Sequence, residues 1–158
     1  MKPAIDPKAV EARVGTGYPA PFDEGVKRRE KRKIGDLFGL TQFGVNLTRL
    51  PPGEMSAQRH WHHKEDEFIM VLDGTATLVT DEGETPMTKG MVAGFAAGVP
   101  NGHHLVNKSD ADVWYLEIGS RIPGELADYP DIDLALVNRG GEAVFVRKDG
   151  SPFEEEGK

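Results

Sequence analysis

The five histidines of this 158-residue chain fall in two short clusters, His60, His62 and His63 and then His103 and His104, and the chain has no cysteine. Without a thiol there can be no disulfide, thiolate nucleophile, zinc ribbon or iron–sulfur cluster, so any metal site must be built from imidazole and carboxylate. Residues i and i+2 of a strand share a face. His60 and His62 therefore point together, ~6–7 Å apart along the strand, while Arg59, Trp61 and His63 point the other way. Glu67 opens the next apolar run and can bring a carboxylate to the same place. An imidazole from the second cluster would complete a three-nitrogen, one-oxygen set. A lone histidine reads as a surface or hydrogen-bonded residue; His-x-His with a strand-initial Glu and a second cluster reads as a ligand set.

These residues need strands to hold them. Phe43, Val45 and Leu47 alternate with Gly44, Asn46 and Thr48, the period of a half-buried strand, until Pro51-Pro52-Gly53 stops it. Glu67 to Leu72 is a β-favouring run closed by Asp73-Gly74, a hairpin signal, and Thr75 to Thr80 returns from it. Further short strands are expected near Gly90–Phe95, His103–Val106, Val113–Ile118 and Ala143–Arg147. The 19 glycines and 11 prolines are scattered, as many short strands with many turns require. The reading is all-β, a barrel or sandwich, with Phe43, Val45, Leu47, Ile69, Val71, Leu78 and Leu105 as core. Residues 1–40, broken by Tyr18-Pro19-Ala20-Pro21, read as an irregular arm with room for an edge strand. Residues 120–140 read as a crossing loop.

Length argues for one domain. The longest run of large apolar side chains is Phe68 to Leu72, far short of the ~18 residues of a spanning helix, and no signal-peptide pattern opens the chain, so a cytoplasmic protein without membrane contact is expected. The formal charge of −7 hides an asymmetry. Six Lys and Arg crowd into positions 27–33, and without that window 13 basic residues face 25 acidic ones. The run reads as a solvated segment complementing an acidic body; with no nucleic-acid-binding motif beside it, nucleic acid is not an expected partner.

Weaker candidates surround the histidines. Gln58 shares the face of His60 and is a candidate ligand contact. Trp61 and Phe68, on the opposite face, read as packing residues, and Asp66 as a solvated carboxylate. Tyr115 and Glu117 share one face of a late strand; if that face is inward, Glu117 is a candidate catalytic acid or base, and otherwise one half of a structural ion pair.

The segment Gly53 to Gly74, with His60-Trp61-His62, then Glu67 after four residues and Gly74 after six more, resembles the first motif of the cupin superfamily. Gly98-Val99-Pro100-Asn101-Gly102-His103-His104-Leu105-Val106-Asn107 resembles the second, which ends His-x-x-x-Asn. The resemblance covers residues 41–119 and implies a double-stranded β-helix, a jelly-roll-like barrel, flanked by an arm over 1–40 and a C-terminal loop and strand over 120–158. Carried over, the metal ligands are His60, His62, Glu67 and His103. The second motif departs from the usual spacing between its Pro-x-Gly and its His, which leaves His104 as the alternative to His103. Such a site holds one divalent transition metal, Fe, Mn, Ni, Zn or Co, with net charge +1 and two open positions for a small oxygen-rich ligand. The resemblance implies a metal-dependent enzyme of isomerase, dioxygenase, decarboxylase or lyase type, or else a non-catalytic small-molecule or sugar-binding module. It also implies a homodimer in which residues 1–40 could serve as an exchange arm.

Overall fold

In the computed structural model, which describes residues 3–154, thirteen short strands are joined by tight turns. In chain order they are β1 (Arg13–Val14), β2 (Glu30–Lys33), β3 (Phe43–Leu50), β4 (Trp61–His62), β5 (Glu67–Asp73), β6 (Thr75–Thr80), β7 (Gly83–Thr88), β8 (Val92–Phe95), β9 (His104–Val106), β10 (Val113–Ser120), β11 (Ala127–Tyr129), β12 (Leu134–Arg139) and β13 (Glu142–Val146). They make a six-stranded sheet in the order β1-β2-β3-β10-β5-β8, a four-stranded sheet β13-β12-β11-β4, and a three-stranded sheet β7-β6-β9. Every pairing is antiparallel. No helix among the described residues is long and apolar enough to cross a membrane.

The all-β expectation holds, and the 67–72, 75–80, 90–95, 103–106, 113–118 and 143–147 segments each contain a strand. One boundary is corrected. Residues 120–140 are not a plain crossing loop, because they contain β11 and β12, and β11 pairs with β4 beside the histidines. The arm holds two strands, β1 at the edge of the six-stranded sheet and, inside it, β2, which hydrogen-bonds along β3 with Lys31 opposite Thr48. The basic side chains of β2 conceal a strand that has no apolar period to reveal it.

One main core lies below the histidine end, built from Leu50, Ile69, Val71, Ala76, Met87, Leu105, Val113 and Tyr115. A second cluster joins Ala127, Tyr129 and Leu134 to Tyr18 and Phe22 of the arm. The Gly74 turn sits at φ +80°, and a Cβ there would lie 2.4 Å from the Asp112 carbonyl oxygen, so this turn admits only glycine.

The alternation of β3 points opposite to the expectation. Asn46 sits across from Glu117 of β10, and both line the cavity described below, so Phe43, Val45 and Leu47 occupy the outer face of the sheet. Leu47 is covered there, whereas Phe43 is 41% exposed. Phe68 is on the same outer face, in register with Ile118 and Val45, and is equally exposed. A barrel that keeps a polar cavity reverses the usual inward-apolar rule over that stretch of sheet.

Candidate metal centre and its cavity

His60 and His103 come together through the backbone. His60 N–H donates to the His103 carbonyl at 3.3 Å, and His103 N–H returns the bond to the His60 carbonyl at 2.8 Å. This bridge joins the two histidine clusters, 43 positions apart in the chain. Pairing of β4 with β11 fixes His62 opposite Ala127, and β5 starts with Glu67 placed between Gly119 of β10 and Phe95 of β8.

The four side chains meet at their metal-binding atoms. His60 Nε2 and His62 Nε2 are 3.1 Å apart. Glu67 Oε2 lies 2.9 Å from His103 Nε2, 3.4 Å from His62 Nε2 and 3.9 Å from His60 Nε2. The donor atoms of His60, His62 and Glu67 fit within 4.8 Å of one another. Donors about 2.1 Å from a common ion are about 3 Å apart when adjacent and about 4 Å apart when opposite, so these spacings suit one transition-metal ion.

The far sides of the rings match this use. His60 Nδ1 is 2.7 Å from the Gln58 carbonyl and His103 Nδ1 is 3.4 Å from the Asn101 carbonyl, so each ring can donate there in the tautomer that offers its Nε2 lone pair to an ion. Glu125 Oε1 stands 3.4 Å from His62 Nδ1. Phe95 stacks flat on the His103 ring. His104 turns elsewhere, with Nδ1 2.8 Å from the Ala57 carbonyl, so the geometry brings His103, not His104, to Glu67.

Burial strips water from these groups, and their charges answer each other. Burial drives the His60 imidazole down to about 4, against the pull of the Glu67 charge. Burial also opposes a charge on His62, but the hydrogen bond to Glu67 and its charge outweigh this and the net shift is upward. Burial resists the Glu67 carboxylate as well, yet hydrogen bonds from His103 and His62 hold it well below the usual carboxylate range.

The centre opens into a cavity of about 320 Å³. Gly44 and Gly119, facing each other across β3 and β10, keep part of its wall free of side chains. Glu117 does face inward; its Oε1 is 3.0 Å from Lys31 Nζ and 3.4 Å from Asn46 Nδ2. Asp66 is exposed, as expected of a solvated carboxylate, and at the cavity rim it also accepts the Ala97 N–H at 2.8 Å. Trp61 stacks on His63, as a packing residue would.

Gln58 is drawn away from this space. Its side-chain amide donates to the Phe22 carbonyl at 2.8 Å and staples the arm, so it does not line the cavity. Conversely, Arg29, Lys31 and Lys33 do line it, which the reading of positions 27–33 as a solvated segment missed. The available signal was their i, i+2, i+4 spacing, which places all three on one face of an extended segment.

The fold is shared with known proteins. The family described as Cupin domain matches residues 46–119. A crystal structure from Silicibacter pomeroyi, described as a sugar phosphate isomerase from a cupin superfamily, is 45% identical with a TM-score of 0.91, over 96% of this chain and 97% of that one. A candidate sugar phosphate isomerase from Acidithiobacillus ferrooxidans is 29% identical with a TM-score of 0.72, over 82% of each chain. The polyketide cyclase RemF from Streptomyces resistomycificus is 22% identical with a TM-score of 0.62, over 76% of this chain and 80% of that one, a likeness of fold alone. No curated protein matches the chain.

Proposed function

The chain belongs to the cupin family, and on that premise we propose that it is a metal-dependent isomerase acting on a small sugar phosphate. The observation that carries this reading is the convergence of His60, His62, Glu67 and His103 at the wall of a cavity that also holds the Glu117–Lys31 pair. The sugar phosphate class is supported by the description of the Silicibacter pomeroyi structure.

His60, His62, Glu67 and His103 would hold one divalent ion, with Fe, Mn, Ni, Zn and Co all compatible with this donor set. Such an ion supplies Lewis acidity to the adjacent oxygens of a hydroxy-carbonyl substrate. Interconversion of an aldose and a ketose moves one proton between neighbouring carbons and one between their oxygens, with no net redox change and no leaving group. Glu117 takes the carbon-bound proton and returns it to the adjacent carbon. Lys31, 3.0 Å away, fixes the orientation of that carboxylate, and the buried apolar floor of Ile69 and Leu105 keeps bulk water from the exchanging proton.

The outer face of the six-stranded sheet supports a homodimer as the working form. Its row Leu47–Leu116–Met70–Val92 is apolar throughout, and Phe68 beside it is exposed. The arm pairs β2 with the β3 of its own chain, so this dimer needs no strand exchange.

The test is metal analysis of protein purified without chelators, followed by incubation with pentose and hexose phosphates in D2O. Expected are about one ion per chain and deuterium incorporation at the carbon beside the carbonyl. Metal-free protein sinks the reading. A sugar phosphate bound tightly by metal-loaded protein but recovered without exchange replaces it with a non-catalytic binding module.

A further inference from the structure

Strand alternation sends Arg29, Lys31 and Lys33 toward the cavity, while Glu30 and Arg32 between them pair with each other on the outer face. Three cations on one wall of a small cavity far exceed what a neutral sugar needs. Their existing partners differ. Lys31 is held by Glu117 at 3.0 Å. Arg29 gives its two Nη groups to the carbonyls of Ser56 and Gly15, but its buried Nε has no partner. Lys33 makes no ion pair among the described residues, lines the cavity opposite Asn46 of β3 in register, and is exposed.

A second observation lies on the same wall. The Tyr115 hydroxyl is buried and borders the cavity, and beside it lies only the buried Thr48 hydroxyl of the paired β3 position, which does not reach the cavity. Buried polar groups without full hydrogen bonding are costly, so a wall that keeps the Arg29 Nε and the Tyr115 hydroxyl in that state is one that a ligand completes. The acidic lining residues Glu65, Asp66 and Glu67 come from the β4–β5 side, and the lining carboxylate of the cationic wall, Glu117, is held by Lys31.

We infer that Arg29 and Lys33, on either side of the Lys31 that holds Glu117, form the seat for the phosphoryl group of the substrate, with its sugar chain reaching across the cavity toward His60, His62, Glu67 and His103. This assignment rests on the isomerase reading and adds to it the residues that select a phosphorylated over a neutral sugar. The sheet order supports the span: β2 is three strand spacings from β5, about 14 Å along the sheet, and the inward-curving wall and long lysine side chains shorten that to the length of a sugar chain. The bounded cavity of about 320 Å³ admits a sugar phosphate and excludes a nucleic-acid backbone.

The experiment is calorimetric titration of the metal-loaded protein with inorganic phosphate, in wild type, Lys33→Met, Lys33→Glu and Lys27→Met. Lys27 carries the same charge six positions away but is held by Asp23 and Glu24 outside the cavity, so its variant controls for net charge. Lys33 is exposed, so its replacement leaves the fold intact. Expected are phosphate binding by wild type, about tenfold weakening in Lys33→Met, the equivalent of one charge-assisted hydrogen bond, stronger loss in Lys33→Glu, and wild-type affinity in Lys27→Met. Metal content stays at the wild-type level in all four. Unchanged phosphate affinity in both Lys33 variants, or equal weakening in Lys27→Met, overturns the phosphoryl seat and leaves the isomerase reading standing. Absence of sugar phosphate turnover together with Lys33-dependent phosphate binding removes the isomerase reading and leaves the seat.

Discussion

Phe95 lies flat against the imidazole of His103, with ring centroids 3.5 Å apart and planes 3° apart. Phe95 is also the β8 partner of Glu67 across the sheet. One aromatic side chain thus braces the ring of one proposed ligand beside the backbone of another, without offering a donor atom of its own. Groups that orient metal ligands contribute to affinity through preorganisation. Phe95→Ala should therefore weaken metal binding by about tenfold, measured by competition with a chromophoric chelator, while all four donors remain. Unchanged affinity would show that the stack is packing alone.

Removing a donor acts more severely. His60→Ala, His62→Ala, Glu67→Ala and His103→Ala should each be purified with less than half the wild-type metal content by elemental analysis. His104→Ala should keep it, because that ring is committed to the Ala57 carbonyl. Metal retained in His103→Ala and lost in His104→Ala would reverse the assignment.

Metal uptake should fall as the solution is acidified from pH 8 to pH 6. His62 in the metal-free protein holds its proton above the ordinary 6.5, through Glu67, so proton and ion compete already near neutrality. His60 behaves oppositely and stays neutral to about 4. The unfolded chain binds a proton at His60 near 6.5, so this residue's contribution to stability is present above that value and is lost as the pH falls toward 4. Imidazole NMR of the metal-free protein, following the two rings separately, checks both directions.

Glu117→Gln removes the proton acceptor and keeps the size and the neighbours. Its kcat should drop by about 10²-fold or more, with metal content unchanged. A variant with wild-type turnover would return Glu117 to a structural ion pair with Lys31.

Asn107 closes the second motif and serves the fold. Fully buried, it donates to the carbonyls of Leu50 and Ala111 at 2.8 and 2.7 Å and accepts from the Ser109 amide and hydroxyl at 3.0 and 2.7 Å. Asn107→Ala leaves buried groups unpaired on two loops and should cost about 3 kcal/mol, read as a fall in Tm of about 10 °C. A smaller loss than for a surface Asn, such as Asn138→Ala, would contradict that role.

Much of the site was readable because its signals are local. His-x-His on extended backbone places two rings on one face, Glu67 begins an evident strand, and Asp73-Gly74 marks the hairpin that a Cβ would block. The direction of β3 was not readable. Phe43, Val45 and Leu47 form as clean an alternation as any core strand, and only the register of Asn46 against Glu117 shows that the polar face is the inner one. The strands at 127–129 and 134–139 were hidden among Pro123, Gly124 and Pro130, whose turn signals outweigh so few apolar residues.

What the amino-acid sequence determined alone is the donor chemistry: no cysteine, five histidines in two clusters, and one strand-initial carboxylate allow only a nitrogen–oxygen centre. Tertiary structure decided which of two adjacent histidines reaches Glu67, because the choice depends on a backbone bridge between residues 60 and 103. It also decided the meaning of the basic segment. Positions 27–33 look like solvated charge until β2 pairs with β3 and its alternate side chains share one cavity with His60, His62, Glu67 and His103. Both decisions rest on pairings between distant segments, for which neither composition nor local period carries a signal.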